Sequence, residues 1–223
     1  MNARYVFLDN PLPQHLYDAL LQRIPKEKQD RISRFQAESE RQIRLLADLL
    51  VRVFAAETLG LENREIEIAA APAGKPFLLG HPAFQYSVSH TKGAALAAFD
   101  SHPVGADLEA LRKVHPAVVR RYFSASEQAY AAPDGVLLPD RMLEIWTAKE
   151  AYAKLLGTGL PRVFSQADTM RADFPYDLHR YCHDAYRMTV CAEKGTACLF
   201  EQIPLPALLK KAMQLSPYEG GSL

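Results

Sequence analysis

The chain has 223 residues, with 26 Lys and Arg against 26 Asp and Glu, and it is 48% hydrophobic and 23% charged. This composition excludes a disordered chain, a coiled coil and a collagen-like repeat, and the zero formal charge counts against non-specific nucleic-acid binding, which draws on a basic excess. The length allows one large domain or two small ones, and either can bury a core without disulfides.

Cys182, Cys191 and Cys198 form no CxxC pair, so they read as reduced thiols of a cytoplasmic protein, not as a zinc site or a disulfide framework. The apolar run near Met1 is too short for a signal peptide. Ala94 to Phe99 falls far short of the ~18 residues of a membrane span.

Tyr5 to Leu8 reads as a short strand closed by a Pro-rich turn. Pro13 starts a helix with Leu16, Leu20 and Ile24 on one face, and Pro25 to Phe35 reads as a short polar helix. A long helix follows, with Ser39 as its expected cap, Gln42 at the third position and Gly60 as its stop. Glu65–Ala69, Gln85–Ser89 and Val104–Glu109 alternate as strands, and the small apolar run from Ala94 to Asp100 reads as a central strand. Ser124 with Glu127 predicts a capped helix, and Asp140 to Leu156 a long one ended by Gly157. Strands are expected around 186–192 and 197–203.

This order suggests an α+β protein of two halves, 1–103 and 104–223. The helix ends before Gly60 and Gly157 echo each other, which fits an internal duplication, although unrelated helices with similar stops explain it equally well.

Asp107 and Glu109 point to one face of a strand, where two carboxylates repel unless a cation lies between them. A solvated strand edge is the ordinary explanation for such a pair. Gly105 beside it permits close approach by another element. Trp146, Glu150 and Lys154 share one helical face, read either as an anchored Trp beside a surface ion pair or as a third carboxylate and a cation for the same site. Three hard oxygen ligands without a Cys or His set point to Mg²⁺, with Mn²⁺ as the alternative, and Mg²⁺ favours a phosphate-bearing partner.

Gly74-Lys75-Pro76 is a stiff turn presenting a cation, not a Walker loop, and Ser89-His90 lacks the GxSxG of a nucleophile elbow. Arg23 to Arg52 holds eight basic and five acidic residues, which a solvated face largely explains, leaving a few to reach a phosphate.

Together these segments resemble a 4′-phosphopantetheinyl transferase of the surfactin-synthetase-activating type. The likeness lies in Gly105-Ala-Asp107-Leu-Glu109, Phe123-Ser-Ala-Ser-Glu127, Trp146-Thr-Ala-Lys149-Glu150-Ala-Tyr-Ala-Lys154, Gly157-Thr-Gly159-Leu160, Gly74-Lys75-Pro76, Ser87-Val-Ser89-His90-Thr91 and the basic stretch Lys26 to Phe35. Their order and spacing cover nearly the whole chain.

The resemblance implies a cytoplasmic monomer of two similar lobes related by a pseudo-twofold axis, each a small, mostly antiparallel sheet packed with helices. It implies coenzyme A in the cleft and transfer of its phosphopantetheine arm to a serine of an acyl or peptidyl carrier protein, with adenosine 3′,5′-bisphosphate released and no role for nucleic acid or membrane. It assigns Asp107, Glu109 and Glu150 to Mg²⁺. Glu150 also serves as base, directly or through a water, and Lys154 as a cation on the leaving side. Lys28, Arg31, Lys75, Pro76, Ser89 and His90 fall to coenzyme A, with Arg44 where the family often has a small hydroxyl residue. Tyr86 replaces a frequent Asn, and Ala106 a larger residue. The carrier is expected to dock near Glu127 and Leu160 to Phe164. A Mg²⁺-dependent hydrolase and a catalytically dead binding module are the rivals.

Overall fold

The computed structural model describes residues 1–112, 115–158 and 167–218. Its first sheet has the order β4 (Gln85–Thr91), β5 (Ala94–Asp100), β1 (Asn2–Phe7), β9 (Leu199–Gln202). All its pairings are antiparallel except β1 with β9. The second sheet is antiparallel, in the order β6 (Gly105–Ala110), β8 (Tyr186–Ala192), β7 (Asp177–His183). A small hairpin joins β2 (Ile68–Ala70) to β3 (Pro76–Leu78).

The helices are α1 (Gln14–Leu21), α2 (Lys26–Ser33), α3 (Glu38–Leu59), α4 (Pro116–Tyr122), α5 (Ala125–Ala131), α6 (Pro139–Leu156) and α7 (Leu205–Gln214). Helix α3 packs across β4 and β5, and α6 across β6 and β8. Both long helices end at a left-handed glycine, Gly60 (φ 69°) and Gly157 (φ 64°), where a side chain would be strained. No described helix is long and apolar enough to cross a membrane.

The small residues of β5 follow from its position. Ala95, Ala97 and Phe99 face α3, while Ala94, Leu96 and Ala98 face the second sheet, packing with Ala106, Leu108, Met188 and Val190. A strand covered on both faces reads as a continuous apolar run. Edge strands β4 and β6 then lie side by side, joined where the Ala106 amide donates to Ser87 Oγ at 2.9 Å. Gly105 lets α6 approach β6: a Cβ there would fall 1.9 Å from the Ala151 carbonyl oxygen and 2.5 Å from the Leu155 nitrogen.

Several elements differ from their sequence pattern. Ser39 does not cap α3, which begins at Glu38 after an uncapped Ala37. Gln42 instead exchanges hydrogen bonds with the Leu12 backbone. The alternation of Glu65–Ala69 yields only Ile68–Ala70 as strand, because Asn63–Glu65 is a 3₁₀ turn closed by a Glu62–Glu65 capping box. Strand β7 has no alternating pattern because neither of its faces is fully buried. The chain also crosses back at its end: β9 pairs with β1, and α7 packs on α3, so residues 199–214 complete the first sheet's layer.

Candidate active site

Period-two geometry on β4 sends Ser87 and Ser89 toward β6. Ser89 Oγ donates to Asp107 Oδ1 at 2.8 Å and accepts from Lys154 Nζ at 2.9 Å, and Lys154 Nζ reaches Asp107 Oδ1 at 2.7 Å. One residue from each of β4, β6 and α6 thus closes a hydrogen-bonded triangle. Asp107 Oδ2 is buried with no hydrogen-bond partner. A buried acceptor without a donor is costly and calls for an explanation at a functional site.

Glu150 lies one turn before Lys154 on α6. Burial, then the charges of Asp107 and Glu109, push its carboxyl up to about 7, against a smaller opposing pull from Lys154. The three acidic residues named by the sequence therefore share one electrostatic field. They are not gathered into a ready ligand set: among the described residues no three Asp, Glu, His or Cys side chains could hold a metal as they stand, and Glu109 turns to Arg112 at 3.4 Å. Hard oxygen donors, one orphaned and one raised by burial and by its acidic neighbours, nevertheless fit a divalent cation.

Two adjoining cavities flank this cluster and share the wall Pro76, Tyr86 and Val88. The first, of about 220 Å³, is lined by Lys28, Arg31, Arg44 and His90 among others, with Asp48 as its one acid. Lys28 pairs with Asp48, and Arg44 lies 3.8 Å over the Phe35 ring while its guanidinium holds Glu40 at 2.7 Å. Arg31 is exposed and has no ion pair among the described residues. Burial, then Arg44 and Lys154, push His90 down to about 4, so the imidazole is neutral at pH 7 and sits in a positive field. The second cavity, of about 270 Å³, is lined by Lys75, Glu150, Lys154 and Gly157 among others.

Glu127 is fully buried, 2.8 Å from the equally buried Lys149, so its own side chain presents nothing to a partner. It also accepts from the Thr169 amide and hydroxyl and the Ser124 amide, each at 2.8 Å, so it braces α5, α6 and residues 167–169. The other part of the expected docking surface, Leu160 to Phe164, lies outside the described residues. Trp146 packs with Tyr122 beside α4 and α5, as the anchored Trp that the sequence allowed. Lys75 lines the second cavity, but its ammonium donates to two backbone carbonyls. The residues to which sequence reading gave no role are Ser87, which the alternation from Ser89 could have found, and Asp48, whose place in the cavity depends on the helix α3 to β4 packing.

A family model described as the 4′-phosphopantetheinyl transferase superfamily matches residues 103–201, and one described as 4′-phosphopantetheinyl transferase, N-terminal, matches residues 10–101. The 4′-phosphopantetheinyl transferase ffp of Bacillus subtilis is 30% identical over 156 residues, 70% of each chain. The chain belongs to the 4′-phosphopantetheinyl transferase family. The transferase is of the Sfp type: the 4′-phosphopantetheinyl transferase Sfp of Bacillus subtilis (strain 168) is 27% identical over 202 residues, 84% of this chain and 90% of its own. A fungal relative, pptA of Paxillus involutus, is 28% identical over 172 residues, 66% of this chain and 65% of its own.

Proposed function

We propose that the protein transfers the phosphopantetheine arm of coenzyme A to a serine hydroxyl of an apo acyl or peptidyl carrier protein and releases adenosine 3′,5′-bisphosphate. The observation that carries this reading is the pair of adjoining cavities, one lined by cations and the other reaching Glu150 and Lys154 beside the Ser89–Asp107–Lys154 triangle. Lys28, Arg31 and Arg44 supply positive charge for the 3′-phosphate end, and neutral His90 and Pro76 line the same wall.

In the reaction, the serine oxygen attacks the phosphorus that bears the pantetheine arm. A new P–O bond forms, the bond to the bridging oxygen breaks, and that oxygen leaves with the nucleotide. Glu150, held near neutrality, accepts the serine proton directly or through a water. Lys154 sits on the leaving side as a cation, and Ser89 donates to a phosphate oxygen once it leaves Asp107. Asp107, Glu109 and Glu150 would hold Mg²⁺ or Mn²⁺, which when bound neutralises charge on the diphosphate. We read the two halves as lobes related by a pseudo-twofold axis, with α3 and α6 as equivalents, because each is a long helix across a sheet ended by a left-handed glycine. We also read the protein as cytoplasmic, in keeping with its three free cysteines, and as a monomer, as the family resemblance implies.

The test is to incubate the protein with an apo-carrier, coenzyme A and Mg²⁺ and to weigh the carrier. Transfer adds one phosphopantetheine to the carrier. Coenzyme A turnover with an unchanged carrier would establish a hydrolase, and neither change a binding module.

A further inference from the structure

Lys75 occupies the turn of the β2–β3 hairpin. Gly74 takes the left-handed conformation (φ 88°) that the turn requires, Pro76 restricts Lys75 before it, and the Ala71 amide closes the turn on the Lys75 carbonyl at 2.9 Å. From there Lys75 lines the second cavity and reaches the end of α6. Its Nζ donates to the Leu155 carbonyl at 3.0 Å and the Val104 carbonyl at 3.1 Å, and its stem runs within 3.4 Å of where a Cβ on Gly157 would sit. Leu155 is in the last turn of α6, where carbonyls lack helical partners and a cation complements the helix dipole. Val104 directly precedes β6. One ammonium therefore ties the hairpin to both elements that carry the acidic cluster: Asp107 on β6 and Glu150 with Lys154 on α6.

We propose that Lys75 is a positioning residue, a strut that sets the separation between the hairpin and α6 across the second cavity, and not a ligand of the substrate's phosphates. A phosphate ligand presents its donors to the cavity, whereas two of the three donors of Lys75 are bound to the Leu155 and Val104 carbonyls, neither of which lines it. The mutual placement of the Pro76–Val88 wall and the Glu150–Lys154 wall then depends on a contact remote from the reacting atoms. Its consequence for turnover rests on the coenzyme A reading, but its consequence for the substrate-free protein does not.

Lys75→Met keeps the apolar stem and deletes the ammonium. The strut predicts a fall of about 2–4 °C in the melting temperature of the substrate-free protein. It also predicts kcat lowered about tenfold by misplacement, with the salt dependence of coenzyme A affinity as steep as in the wild type. An unchanged melting temperature, or a flattened salt dependence showing a lost phosphate contact, would overturn it. A measurement on the wild type keeps the test open if the variant does not fold. With ¹⁵N-labelled lysine, the Lys75 ammonium protons should exchange slowly enough to be seen without substrate and should stay unmoved on adding coenzyme A. A signal invisible without substrate, or one that shifts on titration, would contradict the strut. If the wild type binds no coenzyme A, that reading fails, while the melting temperature still decides the strut.

Discussion

Helix α6 carries Lys149 and Lys154, and each meets a carboxylate. Lys149 and Glu127 are fully buried, and both oxygens of Glu127 are occupied, by the Thr169 amide and hydroxyl on one side and the Ser124 amide and Lys149 on the other. Lys154 and Asp107 are less enclosed, with side-chain exposures of 30% and 7%. Asp107 crowds Ser89 and Lys154 onto one oxygen and leaves the other with none. The first pair is saturated and has no capacity for a ligand. The second keeps an unfilled acceptor beside a groove. Completeness of hydrogen bonding, more than charge or burial, separates brace from site here.

Breaking the brace gives the largest effect. Lys149→Met strands a buried carboxylate, and the expected loss is about 3–5 kcal/mol of stability, read from denaturant or thermal unfolding. A loss below about 1 kcal/mol would show that the pair is not structural.

Lys154→Met acts on the other pair. Transfer should fall about 100-fold as a cation on the leaving side is lost, with a stability cost of only about 1–2 kcal/mol because the lysine is partly solvated. An equal stability loss in both lysine variants would erase the contrast.

The pH dependence sharpens it further. The Glu150 carboxyl, near 7 when folded against 4.5 as its ordinary value, binds more protons in the native state between those values. Its contribution to stability is therefore complete below 4.5 and is lost as pH rises through 7. Glu150→Gln should stabilise the metal-free protein at pH 8 by about 1–2 kcal/mol, after allowance for partial solvation, while removing transfer. No gain at pH 8 would contradict the crowding of Asp107, Glu109 and Glu150.

His90 gives the smallest effect and the opposite sign. Its folded value, about 4, lies below its ordinary 6.5, so its contribution is present above 6.5 and is lost as pH falls through 4. An anion in the first cavity offsets the field of Arg44 and Lys154. Adenosine 3′,5′-bisphosphate should therefore bind with proton uptake near pH 5.5, seen by calorimetry in buffers of different ionisation enthalpy and absent in His90→Gln. Equal uptake in both proteins would place the anion elsewhere.

Much of this was legible in the sequence. The alternation in Gln85–Ser89 and Val104–Glu109 located the two strands that meet, and the spacing of Glu150 and Lys154 put both on one helix face. The capping box at Ser124 and the stops at Gly60 and Gly157 held because each is a local device. What stayed hidden depends on long-range contacts. Glu127 looks like a surface acid until Lys149 and Thr169 arrive from distant segments. Lys75 looks like a free cation until α6 brings the Leu155 carbonyl to it, and the β1–β9 pairing joins the two ends of the chain. Periodicity describes which face a residue occupies, not which partner fills it.

The contrast is tested most directly by measuring transfer rate and melting temperature side by side in Asp107→Asn and Glu127→Gln. A crossed result is expected: Asp107→Asn loses transfer by about 1,000-fold or more and melts near the wild type, while Glu127→Gln melts far lower and keeps its rate at temperatures where it is folded. An active Asp107→Asn, or a Glu127→Gln that is inactive yet melts like the wild type, would contradict the account.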